Sequence, residues 1–193
     1  MSNKYGWLFE SAHLLGLVPL LWLVLRRERN TWWWWIAAGY GVSWVADTLS
    51  HWILRDLIYN VYPLSQAGLI LAMVVPEKSP RWTVDLTVLG CASILLFGIP
   101  FLWPLHVAAW GSLAVVGWRC TGWLRAALLM SFGVGLVAWS ATQLQPGWAA
   151  WIAFQSTRLV GTALLCAAMT APFLSCVPRT PSPWFSSARS GSS

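Results

Sequence analysis

Charge is what this chain has least of: 9% of its 193 residues are Asp, Glu, Lys or Arg, against about 25% in a soluble globular domain. With 58% hydrophobic residues and a mean hydropathy of +0.60, the composition excludes an ordinary soluble globule and is that of an integral membrane protein. The few charges are unequal, leaving a net +6. That excess would point to nucleic acid in a soluble protein. Here the basic residues sit in short loops between apolar runs, where they set topology, so nucleic acid is not expected as a partner. Cysteine is scarce too. Cys91, Cys120, Cys166 and Cys176 show no CxxC or Cys/His zinc spacing, and none falls in an outer loop of the topology below, so no disulfide framework is expected. No lysine lies inside an apolar run, which disfavours a retinal Schiff base. The chain also lacks a phosphate-binding glycine loop, a nucleophile elbow and a haem motif.

What is abundant is tryptophan, with 17 residues. Trp32 to Trp35 directly follow Arg26, Arg27 and Arg29. An indole has an apolar body and one N–H donor, so it is most stable at headgroup level, and arginines at a hydrophobic edge mark a cytoplasmic face. A spanning helix needs about 20 mostly apolar residues, and the chain divides into seven such runs: 7–25, 32–53, 57–75, 81–99, 103–118, 123–144 and 148–174. Thr31 is placed to cap the second, and Ser79-Pro80 supplies a cap and a first-turn proline for the fourth. Pro100 and Pro104 bracket a turn, Pro146-Gly147 makes another, and Pro19 and Pro63 are potential breaks.

Basic residues alternate between the two sides. Arg26, Arg27, Arg29, Lys78, Arg81, Arg119, Arg125, Arg179 and Arg189 collect on one side, with only Lys4 and Arg55 on the other, and Arg158 alone falls inside a run. The expected architecture is an all-α, polytopic transmembrane bundle of seven helices over residues 1–176, N-terminus out and C-terminus in. It would sit as a multi-pass protein in the plasma (inner) membrane. Five crossings would require residues 82–118 to be re-entrant. The first run does not read as a cleaved signal, because Glu10 and His13 interrupt it and it ends in Arg-Arg-Glu-Arg. Residues 177–193, rich in Pro and Ser, read as a disordered cytoplasmic tail.

Ionisable groups cost about 2.5 to 3.5 kcal/mol at a helix centre on insertion scales, so they usually face a bundle interior. In this chain they form stripes spaced by three and four residues: Glu10 and His13 in the first run; Tyr40, Ser43, Asp47, Ser50 and His51 in the second; Tyr59, Tyr62 and Gln66 in the third; Gln155, Arg158, Thr162 and Cys166 in the seventh. At a rise of about 1.5 Å per residue, His51 and His106 come at the outer surface, Glu10 about one turn down, His13 and Asp47 about 8 Å down, and Gln66 and Arg158 about 14 Å down. The expected site is thus an outward-opening polar cavity lined by Glu10, His13, Asp47, Ser50, His51, Tyr62, Gln66, Gln155 and Arg158. Asp85 lies one turn into the fourth helix, beside the positive end of its dipole, and is read as structural.

Three functions compete. The favoured one is binding or transport of a polar or anionic small molecule or lipid headgroup, with Arg158 as anion donor and Asp47 and His13 handling a proton. It needs no cofactor. The second is a metal-dependent hydrolase acting on lipid at the outer leaflet, with zinc held by His13, Asp47, His51 and His106. In its Ser, Asp and His the chain resembles seven-helix ceramidase-like hydrolases. It departs from them where they carry paired histidines at i, i+4 on the last helix, since Gln155 and Arg158 stand there instead. Depth also separates the ligands: His13 lies about 7 Å below His51 and His106, whereas zinc ligands stand about 2.1 Å from the ion. The third is an accessory subunit whose inner tryptophans Trp44, Trp110 and Trp139 meet a membrane-protein partner and whose Gly39, Gly41, Gly133 and Gly135 allow close helix approach.

Overall fold

A computed structural model describes residues 14–28, 31–50, 55–74, 81–97 and 102–171. All regular structure among them is helical. Seven helices follow one another: α1 (Val18–Arg26), α2 (Thr31–Ser50), α3 (Arg55–Val74), α4 (Arg81–Phe97), α5 (Leu102–Arg119), α6 (Gly122–Leu144) and α7 (Trp148–Thr170). Their bounds fall within a few residues of the apolar runs except at the start of α1, where the run 7–25 begins among residues outside the described ones.

The local chemistry explains several of these ends. Pro19 sits in the first turn of α1, where its missing N–H is no loss. The helix ends with Arg27 in the left-handed region (φ 50°), its N–H on the Val24 carbonyl and that of Glu28 on the Leu23 carbonyl at 3.0 Å. This is the paired reverse bond that closes a helix, here without the usual glycine. The chain then turns into α2 with the Trp34 Nε1–H donating to the Glu28 carbonyl at 3.0 Å, and Arg26 lies over the Trp22 ring, 4.6 Å from its centroid. An indole N–H thus ties the start of α2 to the end of α1. Pro63 does not break α3, which runs through it. Gln145 to Gly147 join α6 to α7. Ser79, Pro80, Pro100 and the tail 177–193 lie outside the described residues.

α6 and α7 are long and apolar enough to cross a membrane, with mean hydropathies of 1.5 and 1.3. No other helix among the described residues meets that measure. α1 and α4, at 9 and 17 residues, fall short in length. α2 falls short because hydropathy counts an indole as mildly polar, and its sequence TWWWWIAAGYGVSWVADTLS carries five.

α2 packs on α3, α3 on both α4 and α5, and α6 lies along α7 and against α5, while α1 touches α2 and α7. Ile36, Ile70, Leu113, Leu124, Leu128 and Leu165 are wholly buried between them. Two glycines set the helix spacing. A Cβ on Gly39 would stand 2.5 Å from Ile70 Cγ1 of α3, and one on Gly161 of α7 would land on Ser131 of α6. The stretch of α6 facing Gly161, Leu129–Val134, is π-helical. Such a one-turn insertion loosens the regular backbone ladder, and the Tyr40 hydroxyl of α2 donates to the Ala127 carbonyl just before it at 3.3 Å.

Candidate functional site

Arg158 on α7 is the charged group at the centre of the described bundle. Its Nη2 donates to Ser43 Oγ of α2 at 2.5 Å and its Nη1 to Gln155 Oε1, one turn earlier on α7, at 3.5 Å. The guanidinium carbon stands 5.9 Å from the Phe154 ring centroid. Gln155 is 2% exposed, and Ser43 and Thr162 are buried as well. The polar faces of α2 and α7 thus touch through Arg158 and Ser43.

A crevice of about 30 Å³ opens beside this contact, lined by Ser43, Tyr62, Gln66, Trp110, Arg158 and Thr162 together with Gly16, Tyr40, Ser131 and Phe132. That is room for one or two waters. Two buried polar atoms on its wall have no hydrogen-bond partner within the protein, the acceptor Gln66 Oε1 and the donor Trp110 Nε1. A buried polar group left unpaired costs about 1 to 3 kcal/mol, so both call for a guest.

The wall behind the crevice is aromatic. Trp110 stacks on Phe154 (6.1 Å between centroids, 21°) and meets Phe132 and Trp139 edge-on at 6.3 and 6.0 Å. His106 leans on Trp139 at 4.9 Å. Tyr40 closes the far end, its hydroxyl 2.9 Å from Ser131 Oγ and its ring edge-on to Phe132 at 5.8 Å.

Of the residues singled out in the sequence, Tyr62, Gln66 and Arg158 line one space, and Gln155 accepts from Arg158 beside it. Asp47 and Ser50 continue the α2 register one and two turns beyond Ser43. Glu10, His13 and His51 lie outside the described residues. His106, placed by depth at the outer surface, is 4% exposed within the protein, with Trp139 against its ring. Among the described residues no three His, Cys, Asp or Glu stand together as a metal-ion group. Trp110, which the accessory-subunit reading would set against a partner, is 5% exposed inside the bundle, the core packing usual for an inner tryptophan. Ser131 and Phe132 were missed. The only signal for Ser131 was a hydroxyl within an apolar run that also carries Ser140 and Thr142, and its partner Gly161 lies thirty positions away. Comparison with protein-family models, curated proteins and solved structures finds no match to this chain.

Proposed function

We propose that the chain is a seven-span membrane protein, N-terminus outside and C-terminus inside, whose central crevice binds or transports a small molecule or lipid headgroup through a polar or anionic group. The observation that carries this reading is Arg158, set between α7 and α2 beside an unpaired acceptor and an unpaired donor. An arginine within a span is costly and is kept where it holds a counter-charge. Its N–H fork suits carboxylate and phosphate.

Topology draws support from several features of the chain. Its basic residues cluster at alternate helix ends. Arg26 lies over Trp22, and Arg125 over Trp118 at 4.3 Å, as arginines do when their stems lie along an apolar surface and their heads reach the interface. α6 and α7 have the length and apolarity to cross. The tryptophan-rich α2 is apolar in body, whatever a hydropathy index makes of its indoles.

Two measurements test the reading. Fusions of alkaline phosphatase and of green fluorescent protein after Glu28, Gly147 and Arg179 should report inside, outside and inside in turn. A fusion pattern that places Glu28 and Gly147 on the same side ends the seven-span topology. Native mass spectrometry of the intact protein in neutral detergent should show a bound anionic species that the Arg158→Gln variant loses. If the variant retains the species, or the wild-type protein carries none and is not shifted in melting temperature by any added anion, the binding reading fails.

A further inference from the structure

The polar crevice is small and does not stand alone. Beside it runs a far larger space, about 480 Å³, walled by Leu17, Leu20, Val42, Val45, Leu49 and Val61, with Ala46, Tyr62, Ser65 and Cys91 completing its lining. The two spaces share one residue, Tyr62. They also run along neighbouring positions of the same elements. Gly16 faces the crevice and Leu17 the groove; on α2 Ser43 faces the crevice while Val42 and Ala46 face the groove; on α3 Gln66 belongs to the first, and Val61 and Ser65 to the second. Val45 and Leu49 on the groove's rim are exposed at 45% and 43%, so the groove opens on the outer surface of the bundle, where a membrane helix meets acyl chains.

The two volumes select the guest. A wholly polar metabolite needs a polar cavity larger than one or two waters, and nothing in the apolar groove would repay its desolvation. A neutral hydrocarbon would leave Gln66 Oε1 and Trp110 Nε1 unpaired. A molecule with a compact polar end and a single hydrocarbon chain satisfies both spaces. The N–H donors of the Trp110 indole and the Arg158 guanidinium suit an acceptor-rich, anionic head. Gln66 Oε1 adds a second condition: the head also carries one N–H or O–H, as a phosphate monoester does near its second ionisation.

We propose that the crevice and groove together form one binding site for an anionic, single-chain amphiphile with a small head, taken up laterally from the bilayer, the head on Arg158, Trp110 and Gln66 and the chain lying along Val42, Val45 and Leu49. This rests on the anion-binding reading above and narrows it to a class of ligand. Tyr62 stands at the junction between head and chain.

The full-length protein, reconstituted in phosphatidylcholine nanodiscs, tests it by equilibrium binding of radiolabelled monododecyl phosphate and dodecanoate. Dodecyltrimethylammonium serves as the cation with the same chain, and inorganic phosphate and acetate as the chainless anions. The two anionic amphiphiles bind saturably, and monododecyl phosphate, which brings the O–H that Gln66 accepts, binds the tighter. The cation does not bind saturably. Arg158→Gln weakens monododecyl phosphate by about tenfold or more, the loss expected for one hydrogen bond to a charged group, and Arg158→Lys recovers part of it. Val45→Trp, on the exposed rim and so tolerated by the fold, weakens the dodecyl anions by shortening the groove and leaves inorganic phosphate unchanged.

The failures separate. Chainless anions bound as tightly as their dodecyl counterparts, or Val45→Trp without effect, overturn the amphiphile while leaving anion binding in place. Saturable uptake of the cation overturns the assigned head chemistry. Absence of binding by every anion overturns this inference and the reading beneath it.

Discussion

Two sides of this bundle bury apolar surface in different ways. Between α5, α6 and α7 the space is filled by rings: Trp110 meets Phe132, Trp139 and Phe154, and Leu113, Leu124, Leu128 and Leu165 are sealed among them. Between α1, α2, α3 and α4, helices that also bury Trp33 and Tyr40, branched aliphatics and small residues together with Tyr62 line a groove of about 480 Å³. Arg158 lies where the two meet. The ring-filled side supplies a stiff wall, and the aliphatic side supplies room. A cation held between a rigid, dry surface and an adaptable one can be satisfied by Ser43 and Gln155 and still admit a further ligand, which uniform close packing would forbid.

The sharpest way to break that contrast is to remove a ring. Phe132→Ala, at a residue 2% exposed, should destabilise by about 3 to 5 kcal/mol, read as a fall in melting temperature in neutral detergent. Val45→Ala, on the groove's rim, should hardly move it. Equal losses would mean that the two sides are packed alike. Next comes the seam between α6 and α7. Gly161→Leu drives a side chain onto Ser131 and should cost about 1 to 3 kcal/mol or more. It should also uncouple Tyr40 from Ser131, seen as altered protection of the α6 amides from exchange.

A smaller effect separates two acidic residues. Asp47→Asn should lower stability or ligand affinity clearly more than Asp85→Asn, whose residue is exposed on α4. Like behaviour in both removes the basis for the stripes. Burial pushes the Cys120 thiol, in the turn between α5 and α6, up to about 11, so its thiolate is scarce near neutral pH and maleimide should modify it slowly, with the rate rising as pH approaches that value. Fast labelling at neutral pH would mean that the turn is open. Smallest of all, Gly111→Ala meets nothing within 4 Å and should stabilise by about 0.5 to 1 kcal/mol through helix propensity.

Helix positions were legible because each apolar run is bounded by Pro, Gly or charge, and the period of the polar residues gave the faces. Tyr62, Gln66, Gln155 and Arg158 were found by that period alone. Ser131, Phe132 and the groove were not, for distinct reasons. The π-helical turn Leu129–Val134 shifts which α6 side chains face inward, and no propensity marks it. The groove is the gap left between α1, α2, α3 and α4, and a gap has no residue of its own.

The sequence by itself determined an all-helical chain, the approximate ends of its helices and the face on which each carries its polar groups, since these depend on spacing within one segment. Only the tertiary structure decided that Arg158 reaches Ser43, that Trp110 and Gln66 are left with unpaired polar atoms, and that a water-sized polar space abuts a long apolar one. Those facts depend on how closely helices approach, and that distance is set jointly by residues such as Gly161 and Ser131 that no local pattern connects.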